Sequence, residues 1–196
     1  VAYPILVLTI LLSTDVARDG LALYGALAAV MVVLGVVRLL HTRRVDRQHG
    51  DAAERWHRHF VLLAAAAAAS WSVFGFLILA TGGMSAGGLL ALVGTIGICA
   101  GAVNAFASSL ATLRLFPLLI LGPLFLLPAI RPERGFYGLF LMIAIFLAFL
   151  LIQGKMNHRA YWKALRDNHE LQAARQAAEA ASEAKSEFLA NMSHEI

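Results

Sequence analysis

The sequence predicts an all-α protein: a polytopic bundle of about six transmembrane helices, continued by a cytoplasmic coiled-coil or dimerisation helix. Three observations carry this expectation. Of 196 residues, 60% are hydrophobic and only 14% charged, a balance far more apolar than that of soluble domains. The apolar residues gather in runs, most of them close to the ~20 residues that cross a bilayer as a helix. From Met156 onward the hydropathy drops, and the stretch LQAARQAAEAASEAKSEF holds strong helix formers with no Gly or Pro.

Six apolar segments follow one another. The first, Ala2 to Ser13, is too short to span alone and reads as the end of a helix whose start is missing. It has no basic n-region and no small-residue cleavage site, so it does not read as a signal peptide. The chain begins with Val1 rather than Met and stops inside a motif, so truncation at both ends is expected. Leu21 to Leu40, Phe60 to Ala80 and about Gly87 to Leu110 come next. The fifth, Leu115 to Ile130, is short and carries Pro117, Pro123 and Pro128, which are expected to break or kink it. The sixth, Phe136 to Gln153, is separated from the tail helix only by Gly154.

The connecting loops alternate in charge. Arg43, Arg44, Arg47, Arg55 and Arg58 lie between segments two and three, and Arg114 between four and five. Lys155, Arg159, Lys163 and Arg166 follow segment six, whereas TGGMSAGG between three and four is uncharged. Basic loops stay in the cytoplasm, so a multi-pass protein of the bacterial inner membrane with a cytoplasmic C-terminus is expected. The net charge of +4 is this loop asymmetry. It implies contact with the lipid bilayer and no nucleic-acid partner.

Polar residues inside a membrane are costly and often functional. Ser70, Trp71 and Ser72 stand mid-way along segment three. Thr95, Cys99, Asn104, Ser108 and Ser109 mark segment four, with a Gly97-x-x-x-Gly101 small-residue packing motif. Tryptophan prefers the interface, so a central Trp71 points to a helix contact or an internal pocket. Trp71 and Asn104 are the candidate sensing-pocket residues, against the alternative that hydroxyl and small residues simply hold helices together. The absences discriminate further. No Lys or His lies within a span; His41, His57, His59 and His158 all sit at the basic boundary. A retinal Schiff base and a transmembrane haem with histidine ligands are therefore excluded. The one cysteine permits neither an internal disulfide nor a Cys metal cluster, and no metal site is expected. No Asp or Glu lies mid-span, which disfavours an ion-coupled transporter.

The tail carries the chemistry. Ala174, Ala177, Ala181, Ala184 and Phe188 recur at spacings of three and four, a heptad-like seam built of alanine and therefore weak alone. It ends in KSEFLANMSHEI, Lys185 to Ile196. On a helix Leu189, Met192 and Ile196 share one face, and His194 lies ~140° from Leu189. The apolar face can pack while the histidine points outward. A neutral imidazole is a nitrogen nucleophile, and the adjacent Glu195 carboxylate can hold one ring nitrogen and leave the other free to attack phosphorus.

These residues resemble the phosphoacceptor box of bacterial sensor histidine kinases, K-S-x-F-L-A-N-M-S-H-E-I/L/F-R-T-P-L. Lys185, Ser186, Phe188, Leu189, Ala190, Asn191, Met192, Ser193, His194, Glu195 and Ile196 all match, and the chain stops before Arg-Thr-Pro. The resemblance is specific over about the last thirty residues and architectural before them. It implies three parts: a transmembrane sensor over 1–154, a signalling linker helix over 155–184, and the start of the dimerisation and phosphoacceptor domain over 185–196. It further implies a homodimer that takes the γ-phosphate of Mg-ATP onto His194 and passes it to an aspartate on a response regulator receiver domain, with Glu195 as acid/base or orienting partner. The chain itself holds no Gly-rich nucleotide lid and no Asn/Asp boxes for Mg-ATP, so no cofactor site is expected within it. The alternatives are a non-catalytic membrane sensing or scaffold module and, more remotely, a transporter.

Overall fold

The structure is a computed structural model that describes residues 2–42 and 51–194, with side chains for all of these except 2, 16–19, 21, 51–53 and 187–194. Arg43, Arg44 and Arg47 of the basic loop, and Glu195 and Ile196 of the tail motif, lie outside the described residues. Within them the chain is all-α. Its helices are α1 (Ala2–Ser13), α2 (Val16–Thr42), α3 (Asp51–Gly82), α4 (Ala86–Ala105), α5 (Leu110–Leu121), α6 (Leu127–Ile130) and α7 (Arg134–His194), with a 3-10 turn at Gly122–Leu126 between α5 and α6.

Five stretches are long and apolar enough to cross a membrane: Ala22–Thr42, Glu54–Gly82, Ala86–Ala105, Leu110–Ile130 and the first part of Arg134–Ser186. α1 is a shorter apolar helix, as its length in the sequence requires. It packs between α2 and α4, and α3 is the central helix, touching α2, α4 and α5. Trp71 and Phe74 of α3 are fully buried, and Leu113 of α5, Leu127 of α6 and Phe136 of α7 belong to the same buried core. The outer faces carry exposed Val33, Val36 and Leu40 on α2 and Leu141, Ile145, Phe149 and Ile152 on α7. Exposed apolar residues in such numbers match a hydrocarbon surrounding, not water.

Two segment boundaries differ from the sequence expectation. The fourth segment was expected to run to Leu110, but α4 stops at Ala105 and residues 106–109 form a turn. Ser109 is the cause. Its backbone is extended and its side-chain oxygen accepts the Thr112 N–H at 3.4 Å, so it caps a new helix rather than continuing the old one. α5 therefore begins five residues before Leu115, and Arg114 lies inside it rather than in a loop. Pro123 and Pro128 are the second residues of the 3-10 turn and of α6, within the first turn where a missing N–H is harmless. Pro117, in contrast, is accommodated within α5.

The α3–α4 turn is built by local chemistry. Gly83 adopts φ +63° and returns its N–H to Leu79 at 3.0 Å, the left-handed close of a helix that glycine permits. Ser85 then caps α4 by accepting from Gly88 N–H at 3.3 Å. Arg131 reaches back from the α6–α7 turn, donating through Nε to the Ala80 carbonyl at 2.8 Å and through a terminal nitrogen to Thr81. A cation on the last carbonyls of α3 satisfies acceptors the helix cannot.

Candidate functional site

Two places were marked by the sequence: the mid-bundle pair Trp71 and Asn104, and the tail motif. Trp71 has no exposed surface. Its Nε1–H donates to Thr95 Oγ1 of α4 at 2.9 Å, and that hydroxyl donates to the Ala91 carbonyl at 2.8 Å. The indole thus has its one polar atom paired inside the bundle. Tyr3 of α1 meets it edge-on with ring centroids 6.0 Å apart, and Phe74 stands at 5.8 Å. The ring lies against Gly94: a Cβ there would be 2.7 Å from Trp71 Cζ2. Only a glycine lets α4 approach this closely.

Asn104 sits elsewhere. It is exposed near the end of α4, and its Oδ1 accepts from Asn157 Nδ2 of α7 at 2.9 Å. Thr95, which meets Trp71, precedes it by nine residues, ~14 Å along a helix. The structure does not bring Trp71 and Asn104 together. Ser72 makes a second interhelical bond, donating to the Ile120 carbonyl of α5 at 2.9 Å, where the α5 helix is about to give way to the 3-10 turn. The hydroxyls at mid-bundle therefore hold helices together, as small polar residues do in membranes.

Gly97 and Gly101 serve differently from the packing motif they spell. A Cβ at either would meet nothing within 4 Å. They wall a cavity of about 350 Å³ between α2 and α4, whose polar lining includes Tyr3, Arg38 and Thr42. Neither Trp71 nor Asn104 lines it. The Arg38 guanidinium rests over the Phe60 ring at 4.9 Å and near Phe106 at 6.0 Å, a cation–π seat. A second cavity, of about 310 Å³, opens at the opposite end beside Thr14, Asp15, Tyr24, Thr81 and Ser85. Among the described residues, no group of three or more His, Cys, Asp or Glu gathers as a metal site would need.

The boundary histidines have definite tasks. His41 and Trp56 stack face to face at 5.2 Å, with interplanar angle 3°. Each ring N–H meets the other's carbonyl, His41 Nε2 to Trp56 O and Trp56 Nε1 to His41 O, both at 3.1 Å. This reciprocal pair staples the end of α2 to the start of α3. His158 donates from Nδ1 to the Ala107 carbonyl at 2.7 Å. The sequence placed these histidines at one boundary but carried no signal for their partners.

The tail motif lies at the end of α7, whose backbone is helical through His194. Gly154 does not interrupt this helix, so segment six and the tail form one element of 61 residues. Every side chain from Arg159 to Ser186 is exposed, including Ala174, Ala177, Ala181 and Ala184 of the alanine seam. Side chains from 187 on, with that of His194, are outside those described, and so is Glu195 altogether. Comparison with known protein families, with curated proteins and with solved structures returns no match.

Proposed function

We propose that this chain is the sensing and phosphoacceptor part of a membrane-bound sensor histidine kinase of a two-component system. The observation that carries the reading is the eleven-position resemblance of Lys185–Ile196 to the phosphoacceptor box. In this reading the complete protein is a homodimer in the bacterial inner membrane. The His194 imidazole attacks the γ-phosphorus of ATP; an N–P bond forms as the bond to the ADP oxygen breaks. Glu195 holds or accepts the proton of the other ring nitrogen. The phosphoryl group then passes to a receiver-domain aspartate. Such transfer depends mainly on positioning and charge stabilisation, and the ATP-binding domain that supplies them is a separate unit from the residues present here.

Two features support the reading. A helix that runs without a break from the bundle to His194 is a direct physical link between membrane and phosphoacceptor. Arg38 near the end of α2, Arg58 near the start of α3, Arg114 near the start of α5, and Lys155 and Arg159 beside the α7 residues that meet the α4–α5 turn lie toward one side of the bundle, the side the positive-inside rule assigns to the cytoplasm, where ATP is.

The test extends the chain with a histidine-kinase catalytic domain and supplies labelled ATP. Acid-labile, base-stable label is expected on the protein and should vanish in His194→Gln. Label that survives this substitution would overturn the assignment, and absence of any label would favour a non-catalytic membrane module. Topology is checked separately. A reporter active only outside the cytoplasm should be silent when fused after Arg58 or Lys163 and active after Gly83.

A further inference from the structure

Among the described residues, the last hydrogen bonds from α7 to the bundle fall within one helical turn of a close approach at Gly154. Gly154, Asn157 and His158 are spaced i, i+3 and i+4, so they share a face. Gly154 is buried under Leu113 of α5; a Cβ at 154 would overlap Leu113 Cδ2 and lie 3.1 Å from its Cγ. One turn on, Asn157 donates to Asn104 Oδ1 at 2.9 Å and accepts from Gln153 Nε2 at 3.2 Å. Beside it His158 donates to the Ala107 carbonyl at 2.7 Å. Asn104, Ala107 and Leu113 all belong to the α4–α5 connection or its flanks. That connection is itself irregular: Ala107 N–H reaches only to Asn104 O at 3.4 Å, and Ser109 N–H to Phe106 O at 3.0 Å.

Beyond this turn every described side chain of α7, from Arg159 to Ser186, is exposed. From His158 to His194 the helix extends ~54 Å. The direction of that arm is set wherever α7 is last gripped.

We propose that Gly154, Asn157 and His158 form a joint that seats α7 on the α4–α5 turn, and that movement of this turn steers the arm. Gly154 supplies close approach, so the arm pivots near the axis of α7 rather than on a flexible side chain. The two polar contacts fix rotation about that axis, because a hydrogen bond is directional where apolar packing is not. The α4–α5 turn is joined through α4 to Gly94 and Thr95 against Trp71, and through α5 to Ile120 against Ser72. A shift of α3 against these helices is thereby delivered to the joint. The joint rests on the proposed function only in treating α7 as the output.

The test measures the arm directly. In a chain carrying Cys99→Ser, nitroxide labels at Leu62→Cys on α3 and Ala173→Cys on the arm report their separation in lipid nanodiscs. Labelled chains are diluted with unlabelled ones so that only distances within one chain are read. The parent should give a single narrow distance. A tilt of ~10° displaces residue 173 by roughly 4 Å, given the ~22 Å from His158. Asn157→Leu with His158→Leu should broaden the distribution at least about twofold or shift its mean by that amount. His158→Asn, whose amide nitrogen stands where Nδ1 does, should retain the narrow parent distance. A distribution unchanged in the double leucine variant, or equally broad in His158→Asn, would overturn the joint. Phosphate chemistry is not involved, so a histidine that never gains phosphate would sink the kinase reading and leave this result standing.

Discussion

α7 is a single helix with two unlike halves, and they teach how differently a helix can be held. Up to His158 it lies on α4 and α5, with Phe136, Ile143, Leu150 and Gly154 buried. After that residue every described side chain of the same helix is exposed. The first half is specified by packing: a glycine where α5 presses in, apolar side chains where the bundle needs them. The second is specified by propensity, through Ala, Glu, Gln and Arg at exposed positions, helped by the Arg175–Glu179 pair at 2.8 Å. Helices without tertiary contacts are marginal in water, so under the proposed function a second chain would stabilise this exposed arm. The alanine seam is the surface available to it.

The comparison is broken most severely at the bundle core. Trp71→Ala removes a fully buried ring together with its bond to Thr95, and should cost on the order of 3 kcal/mol or more. Thermal unfolding in detergent micelles checks it, and an unchanged midpoint would mean that α3 does not hold the core. Gly94→Leu should cost about 1–3 kcal/mol by the opposite route, forcing α4 away from the indole, read on the same assay. On the arm, Ala177→Leu with Ala184→Leu should leave the bundle's melting unaffected and tighten association between arms roughly tenfold. Analytical ultracentrifugation measures that association. The same pair, in the full-length protein, should lock one signalling output. The smallest effect is expected from Glu179→Ala, which breaks an exposed i,i+4 pair and should change stability by less than about 0.5 kcal/mol. Helicity followed by circular dichroism reports it. If arm and core substitutions cost alike, the two halves are not held by different means.

The six apolar segments, the shortness of the first and the helical tail were all legible, because hydropathy and period are written residue by residue. Trp71 was legible as anomalous but not in its role. A tryptophan at mid-span announces an internal contact, while its partner Gly94 looks like any other glycine of a glycine-rich helix. Gly97 and Gly101 spelled a packing motif, yet the close approach occurs at Gly94, since which face of α4 turns toward α3 depends on the whole bundle. Asn104 was read with Trp71 because both are polar in apolar runs; in space it belongs with Asn157 and Ala107. The end of α4 was misplaced by several residues because a serine cap and a continuing apolar run look alike until the backbone bonds are drawn.

The chain's local chemistry by itself determined the all-α class, the apolar spans, the long helical tail and the residue order of its closing KSEFLANMSHEI stretch. Each follows from side-chain hydrophobicity, helix propensity or residue order within a short window. Tertiary structure alone decided which hydroxyl meets which helix, that Gly154 packs under Leu113 without breaking α7, and that Asn157 and His158 bond to the α4–α5 connection. Those outcomes depend on which helix faces are brought together from residues 24 to 53 positions apart, and no local window contains that information.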